Sequence, residues 1–216
     1  VINVTEELDA EEAWNFGINF TKNFEINHKI FNFSTDLYTT HFVNQIVMDR
    51  ESTTDELQFY NLDGQSFSNS FLTSFSAELT KFMEVKLAYK FNDVKVTFDG
   101  DLLQTPLVAR HRGLISVGLN TLDESWKLHT TMQLVGKQRI PIVQGHGQHS
   151  GAGHNSLGTH HLTGVTPRYL TVNAQLTKTF NDKFEIYVGG ENLTNYRQHN
   201  AIIGAIDPFN EDEGIP

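Results

Sequence analysis

The chain's chemically capable side chains are most concentrated in one glycine-rich stretch. His146, His149, His154, His160 and His161 make up five of the ten histidines and fall between Pro141 and Pro167. Neutral imidazole is the commonest nitrogen ligand for copper, zinc and nickel. The stretch holds no Asp or Glu, so its donors are all nitrogen, which suits Cu²⁺ or Zn²⁺ better than ferric iron. Gly145, Gly147, Gly151, Gly153 and Gly158 let the imidazoles converge without backbone strain. Ordering such a loop costs roughly 1–2 kcal/mol per residue fixed, so any site here is weak. A solvated Gly/Ser/His loop with no ligand geometry accounts for the same composition. His41, His111 and His199 are further nitrogen donors at other strand ends.

Other chemistry is poorly represented. The chain has no Cys, which removes thiol catalysis, disulfides and zinc-thiolate sites. There is no nucleophile elbow, phosphate-cradling glycine loop or carboxylate pair at helical spacing, so no enzyme and no bound cofactor are expected. Asp99-Gly100-Asp101 lacks the rest of a calcium loop and reads as a tight turn. With 16 Lys+Arg against 26 Asp+Glu the net charge is −10, which leaves no basic footprint for nucleic acid. No run approaches the ~18 apolar residues of a membrane helix.

The elements that must position these residues are strands. Period-two alternation recurs eight times over the 216 residues. One face carries Trp14, Phe16, Ile18 and Phe20; then Phe31, Phe33 and Leu37; Phe71 and Phe75; Val85, Leu87, Tyr89 and Phe91; Ile115, Val117 and Leu119. Trp126, Leu128, Met132 and Leu134 continue it, followed by Leu170, Val172 and Leu176, and last by Phe184, Ile186 and Val188. The opposite faces are largely Asn, Ser, Thr, Gln, Lys and Glu. Short turns are expected near Lys22–His28, Lys81–Glu84, Leu122–Ser125 and Phe180–Lys183. They alternate strictly with long connections at Asp49–Asp63, Asn92–Arg110 and Lys137–Thr166. Loops beyond ~12–15 residues are uncommon in compact soluble domains, whereas a membrane β-barrel has short turns at one rim and long loops at the other. Phe20, Phe24, Phe31, Phe82, Trp126, Phe180 and Phe184 gather at the short-turn rim, where an interfacial girdle belongs. Lys86, Lys90, Glu78, Glu185 and Glu191 fall on polar faces and are expected to pair across strands inside the barrel. A soluble sandwich or lipocalin-like barrel also alternates, so alternation alone does not separate the two.

Several stretches resemble the C-terminal barrel of TonB-dependent outer-membrane receptors. They are Glu11-Glu12-Ala13-Trp14-Asn15-Phe16-Gly17, Tyr60-Asn61-Leu62-Asp63-Gly64 with Ser68-Asn69-Ser70-Phe71, and Pro106 to Arg112. The most specific is Gly189-Gly190-Glu191-Asn192-Leu193-Thr194-Asn195-Tyr196, followed by Ala205 to Phe209 as a last external loop. The resemblance implies an all-β, antiparallel transmembrane β-barrel portion, with short periplasmic turns and long external loops. Its eight strands would be part of a barrel of about 22. Residues 1–216 are then expected to be the C-terminal part of such a receptor, a fragment without plug domain or final strand. It further implies the bacterial cell outer membrane and energised import of a scarce ligand such as a metal ion or metal chelate. The implied partners are outer-membrane lipid, the receptor's own plug, TonB through the plug, and the transported ligand. The alternatives are a soluble ligand-binding β-barrel and a small self-closed outer-membrane barrel with a structural or adhesion role.

The histidine stretch gives a direct expectation. Calorimetry on the intact receptor should show modest Cu²⁺ or Zn²⁺ binding that is lost below about pH 6, as imidazoles protonate. Changing His146, His149, His154, His160 and His161 together to Ala should abolish it. Unchanged binding would reduce the loop to a solvated surface.

Overall fold

A computed structural model describes residues 2–49, 57–140, 164–180 and 183–197. Alternation becomes strand throughout: β1 Ile2–Val4, β2 Glu12–Ile26, β3 Lys29–Asn44, β4 Ile46–Asp49, β5 Leu57–Asn61 and β6 Ser66–Thr80 come first. β7 Met83–Phe98, β8 Asp101–Gln104, β9 His111–Asn120, β10 Trp126–Val135, β11 Tyr169–Phe180 and β12 Phe184–Gly190 follow. The eight long strands are those expected, in the antiparallel order β12-β11-β10-β9-β7-β6-β3-β2, with β8 folded back on β7. Among the described residues the sheet does not close on itself: β2 and β12 are its edges.

Register decides which side chains share a face, because directly paired residues point the same way. One such row runs Ile18, Leu37, Phe71, Phe91 and His111 across β2, β3, β6, β7 and β9. Another runs Leu87, Ile115, Met132 and Val172 across β7 to β11. All eight apolar sets therefore lie on one side of the sheet. They are left uncovered, Trp14 73% and Phe16 63% exposed, as expected of a face that meets lipid. The other side is a polar ladder. Asn19 donates to Asp36, Asn32 to Asn23, Thr21 meets Ser34 at 3.2 Å, and Ser116 meets His129 at 3.0 Å. On this face Gly17 leaves room for the Tyr38 ring, which a Cβ would meet at 2.3 Å.

The short-turn rim is aromatic as expected. Phe24 stacks on Phe31 at 5.4 Å, Phe31 meets Phe75 at 5.8 Å, and Phe180 meets Phe184 at 6.1 Å. The Lys178 ammonium lies 4.9 Å from the Trp126 ring, an apolar stem with its charge lifted toward the rim. The rim does not follow the pairing rows. Phe24 lies just before the end of β2 at Ile26, whereas its row reaches Ala174 in β11, well short of Phe180. Four more residues of drift, about 13 Å at ~3.3 Å per residue, give the stagger that closing a barrel requires.

Two expectations need correction. The first turn is not Lys22–His28 but only Asn27 and His28, both at positive φ (51° and 60°). Lys22 and Asn23 stay in the ladder, paired with Phe33 and Asn32. The long connections are also less loop-like than expected. Asp49–Asp63 contains β5 and the end of β4, while Asn92–Arg110 contains the outer end of β7 and all of β8. The tight turn at Asp99-Gly100 is present, with φ of 46° and 84°.

The face assignment predicts an asymmetric response in the full-length barrel. Leu128→Arg or Val172→Arg puts a charge on the apolar face and should cost about 2–4 kcal/mol. Gln175→Arg, on the polar face, should cost much less. Equal losses in denaturant titrations would overturn the assignment.

Candidate functional site at the long-loop rim

Beyond the membrane-length part of the sheet, β3 continues through Gln45 into β4, and β5 leads back into β6. β4 pairs with β5, and β1 adds to β5 in parallel, making a second sheet of order β1-β5-β4. Asn61 knits this sheet to the segment before β2. Its amide donates to Glu6 Oε1 and its Nδ2 to the Glu7 carbonyl, while its Oδ1 accepts from Asp9 N–H at 3.1 Å. Ile46 N–H donates to Glu11 Oε1 at 3.1 Å, and Asn44 Nδ2 to the Ala10 carbonyl at 3.0 Å.

A small apolar core holds the second sheet to the outer end of β7. Val47, Val96 and Phe98 are buried, with Tyr60, Leu62 and Leu103 packed around them. Val96 pairs with Ser66 and so belongs to the polar face lower down. The second sheet therefore leans over the polar side at the outer end of β7. Gly64 fixes the join: its φ of 135° excludes most residues, and a Cβ there would lie 2.6 Å from Thr97 Oγ1. Gln65 N–H donates to Thr97 Oγ1 at 2.8 Å, and Thr97 N–H to the Gln65 carbonyl at 2.9 Å.

Beside this core is an open polar cavity of about 590 Å³, whose lining includes Asp49, Tyr60, Asp63, Thr97 and Asp99. Asp49 is 1% exposed and accepts from the Tyr60 hydroxyl at 3.1 Å. Burial first, and the Asp49 charge second, push the Tyr60 phenol up to about 12 from 10.0. Tyr60 is therefore a neutral donor at all physiological pH. The cavity presents the Tyr60 phenol as a donor beside the carboxyl groups of Asp49, Asp63 and Asp99.

The next long connection is anchored here as well. Arg139 Nε donates to the Gln104 carbonyl in β8, and its guanidinium lies 5.5 Å from the Phe98 ring centroid. Gln138–Ile140 and 164–166 close on each other through the Arg139–Val165 bridge and the Thr166 N–H to Gln138 carbonyl bond at 2.8 Å. The base of the histidine stretch is thus fixed at this rim. His146, His149, His154, His160, His161 and His199 lie outside the described residues. His41 and His111 stand on the apolar face, in rows with Phe67 and Phe91, and do not converge. His111 Nδ1 lies 2.7 Å from the Tyr89 hydroxyl. No group of three His, Cys, Asp or Glu that could hold a metal occurs among the described residues.

The Glu-Asn-Leu-Thr-Asn-Tyr run folds as a cap on β11. Asn192 Oδ1 accepts from Tyr196 N–H and Thr194 Oγ1, and Asn192 N–H donates to Asn173 Oδ1. Leu193 N–H reaches the Val172 carbonyl at 2.7 Å, and Tyr196 stacks on Tyr169 at 4.7 Å. Sequence reasoning missed β1, the β4–β5 pair and the Asn61 hub. Their signal was the short apolar runs Ile2–Val4, Ile46–Met48 and Leu57–Tyr60, too brief to stand out inside long connections.

A family model described as TonB dependent receptor-like, beta-barrel matches residues 1–193. The chain is similar to the siderophore receptor PiuA from Acinetobacter baumannii: 16% identity, TM-score 0.56, covering 87% of this chain and 25% of that one. It is similar to the ferric-catecholate import receptor Fiu from Escherichia coli K12: 14% identity, TM-score 0.57, covering 86% and 24%. It is also similar to the FrpB iron transporter from Neisseria meningitidis: 15% identity, TM-score 0.53, covering 91% and 28%. The chain thus spans about a quarter of the length of these structures. No curated protein sequence matches it.

The cavity yields its own test. Tyr60 should titrate late, near pH 12, in phenolate absorbance difference spectra against Tyr60→Phe. Because the folded value is raised above 10.0, the stabilisation is complete below pH 10 and is lost as pH rises through 12. Asp49→Asn should bring the titration toward 10 without reaching it, since burial is the larger cause. Titration near 10 in the parent protein would show that the second sheet does not pack as described.

Proposed function

The chain belongs to the TonB-dependent receptor-like β-barrel family, and on that premise we propose that it forms part of the barrel wall of an outer-membrane importer for a scarce iron chelate. The observation that carries this reading is the family match along 1–193, together with a sheet whose faces are partitioned for lipid outside and water inside. That partition and the membership favour a receptor barrel over a soluble barrel or a small self-closed one. The choice of an iron chelate is supported by the similar structures: a siderophore receptor, a ferric-catecholate import receptor and an iron transporter.

On this reading the barrel catalyses no covalent change. The wall holds a plug domain, and the long-loop rim captures the ligand outside the cell. Energy from the inner membrane reaches the plug through TonB and releases the ligand inward. The second sheet and the cavity beside Tyr60 are rim structures that shape the mouth. The histidine stretch supports a second ligand reading, a weakly held Cu²⁺ or Zn²⁺ ion, on its all-nitrogen donor set.

Uptake of radio-iron in iron-starved cells carrying the full-length receptor tests the proposal. Accumulation from a ferric siderophore should require the receptor and stop when a protonophore collapses the proton-motive force. Receptor-independent uptake, or uptake indifferent to the protonophore, would overturn it.

A further inference from the structure

Strand parity sorts charge as well as apolarity at the short-turn end of the sheet. Lys22 shares the outward row of Phe33, Phe75 and Leu87. Lys29, opposite Ile26, lies one outward position from Phe31. Lys178, opposite Trp126 and Ile186, lies one outward position from Phe180. Among the described residues no carboxylate takes an outward position on the paired strands at this end. Glu25, Glu78, Glu84 and Glu185 all have the inward parity, with Lys86 and Lys127 among them. The inward face even sets like charges opposite one another, Glu78 against Glu84 and Lys90 against Arg112. In a chain with 26 Asp+Glu against 16 Lys+Arg, an outward rim of lysines alone runs against composition.

The charge that answers these lysines lies outside the sheet. Lys178 is half-buried, and its Nζ lies 4.9 Å from the Trp126 ring and 5.7 Å from the Phe180 ring. It donates to Ser125 Oγ at 2.8 Å, so the turn holds the ammonium in place and leaves N–H donors over. Asp123, the carboxylate of that turn, accepts from Thr121 Oγ1 and Ser125 N–H and makes no ion pair with Lys178. Lys22 and Lys29 are exposed and have no ion pair among the described residues. Lys22 stands four residues before the end of β2 at Ile26, about 13 Å at ~3.3 Å per residue. Phe20, Phe24 and Phe33 flank it on the outward face. Its stem can lie along those rings and lift the ammonium to the rim. The long-loop end differs: its outward carboxylate, Asp93, is paired with Arg110 at 2.7 Å.

We propose that Lys22, Lys29 and Lys178, together with Phe24, Trp126 and Phe180, form a belt that binds anionic glycerophospholipids of the inner leaflet. Lipid phosphates meet the ammonium groups while acyl chains cover the rings. This rests on the importer reading above, which sets the short turns on the periplasmic side. Charge complementarity selects the occupant. A phosphate accepts from a donor-only ammonium, whereas a zwitterionic headgroup brings a cation of its own that the lysines repel. A protein docking from the periplasm would meet the turns first. These lysines rise instead from among aromatic side chains that lie against lipid, so the membrane is the better partner.

The test is native mass spectrometry of the full-length receptor, released from detergent micelles holding equal amounts of phosphatidylglycerol and phosphatidylcholine. The parent protein should retain phosphatidylglycerol in preference. Lys22→Gln and Lys178→Gln should each lower that preference about fivefold, the ~1 kcal/mol of one lysine at an anionic lipid surface. Lys22→Arg with Lys178→Arg should keep it, which separates lost charge from a damaged fold. Lys86→Gln with Lys127→Gln, which neutralises inward lysines, should keep it as well. An unchanged preference in the doubly neutralised outward variant would overturn the inference. So would an equal loss in the inward variant, or a parent protein that retains the two lipids alike. Failed radio-iron uptake with the lipid preference intact would remove the iron-chelate reading and leave the belt standing. A full-length protein that stays monodisperse without detergent and retains neither lipid would remove the barrel reading itself, and this inference with it.

Discussion

A polypeptide that crosses hydrocarbon must satisfy every backbone N–H and C=O within itself, because no water is there to do so and each unpaired group costs several kcal/mol. In strands this can be met only by ladders that run from neighbour to neighbour until they close. Most of the molecule's features follow from that requirement. The eight long strands are each hydrogen-bonded to the next in sequence, and β8 is added only as a fold-back on β7. Once the backbone is committed to a continuous ladder, side chains are sorted by parity alone. The apolar row through Leu37, Phe71 and Phe91 and the polar bonds at Asn19–Asp36 and Thr21–Ser34 are two sides of one register. The same requirement explains why β2 and β12 are edges only of this sheet: in lipid their open N–H and C=O groups need further strands.

Parity made the membrane half of the fold legible in the sequence. The alternation is long and strictly two-sided, and slipping a strand by one residue would turn Phe71 and Phe75 inward and Ser74 and Ser76 to lipid. The turns were less legible because composition misleads there. Lys22 and Asn23 look like turn residues, yet they continue β2, with Asn23 bonded across to Asn32. What actually turns the chain is Asn27-His28 in the left-handed region, a conformation Asn tolerates and sequence alone does not assign. The Glu-Asn-Leu-Thr-Asn-Tyr run is recognisable as a motif, but the cap it forms around Asn192 rests on bonds to Tyr196 and to Asn173 of β11 that residue types alone do not specify. The histidine stretch stands as a compositional signal whose base alone is placed, at the Arg139–Val165 bridge.

The long-loop rim obeys different physics, and this is why its sequence reads as loop. Outside hydrocarbon, water can satisfy the backbone, so the chain need not form one continuous ladder. The second sheet is held by a few side chains instead: the Val47, Val96 and Phe98 core, the Gly64–Thr97 contact and the bonds radiating from Asn61. None of these has a periodicity. Each joins residues far apart in sequence, Glu6 to Asn61 or Gln65 to Thr97, so no local window reports it. A small core and a handful of polar anchors hold the second sheet to the outer end of β7 and to the segment before β2.

The polar face carries the last consequence of the ladder. Because register is dictated by the lipid side, the inward side chains meet whatever partners parity delivers. The expected cross-strand ion pairs among Lys86, Lys90, Glu78, Glu185 and Glu191 do not form among the described residues; Glu185 instead lies 3.9 Å from Lys127. A single change of residue type at Lys90 or Arg112 would have relieved the like-charge contact without touching the register, since neither side chain faces lipid. The strain is thus local and separable from folding. Glu78 and Glu84 show the sheet's own remedy, a lysine one diagonal away. No carboxylate stands on the corresponding diagonals of Lys90 and Arg112, and Asp93, three residues further along β7, is taken by Arg110 at 2.7 Å.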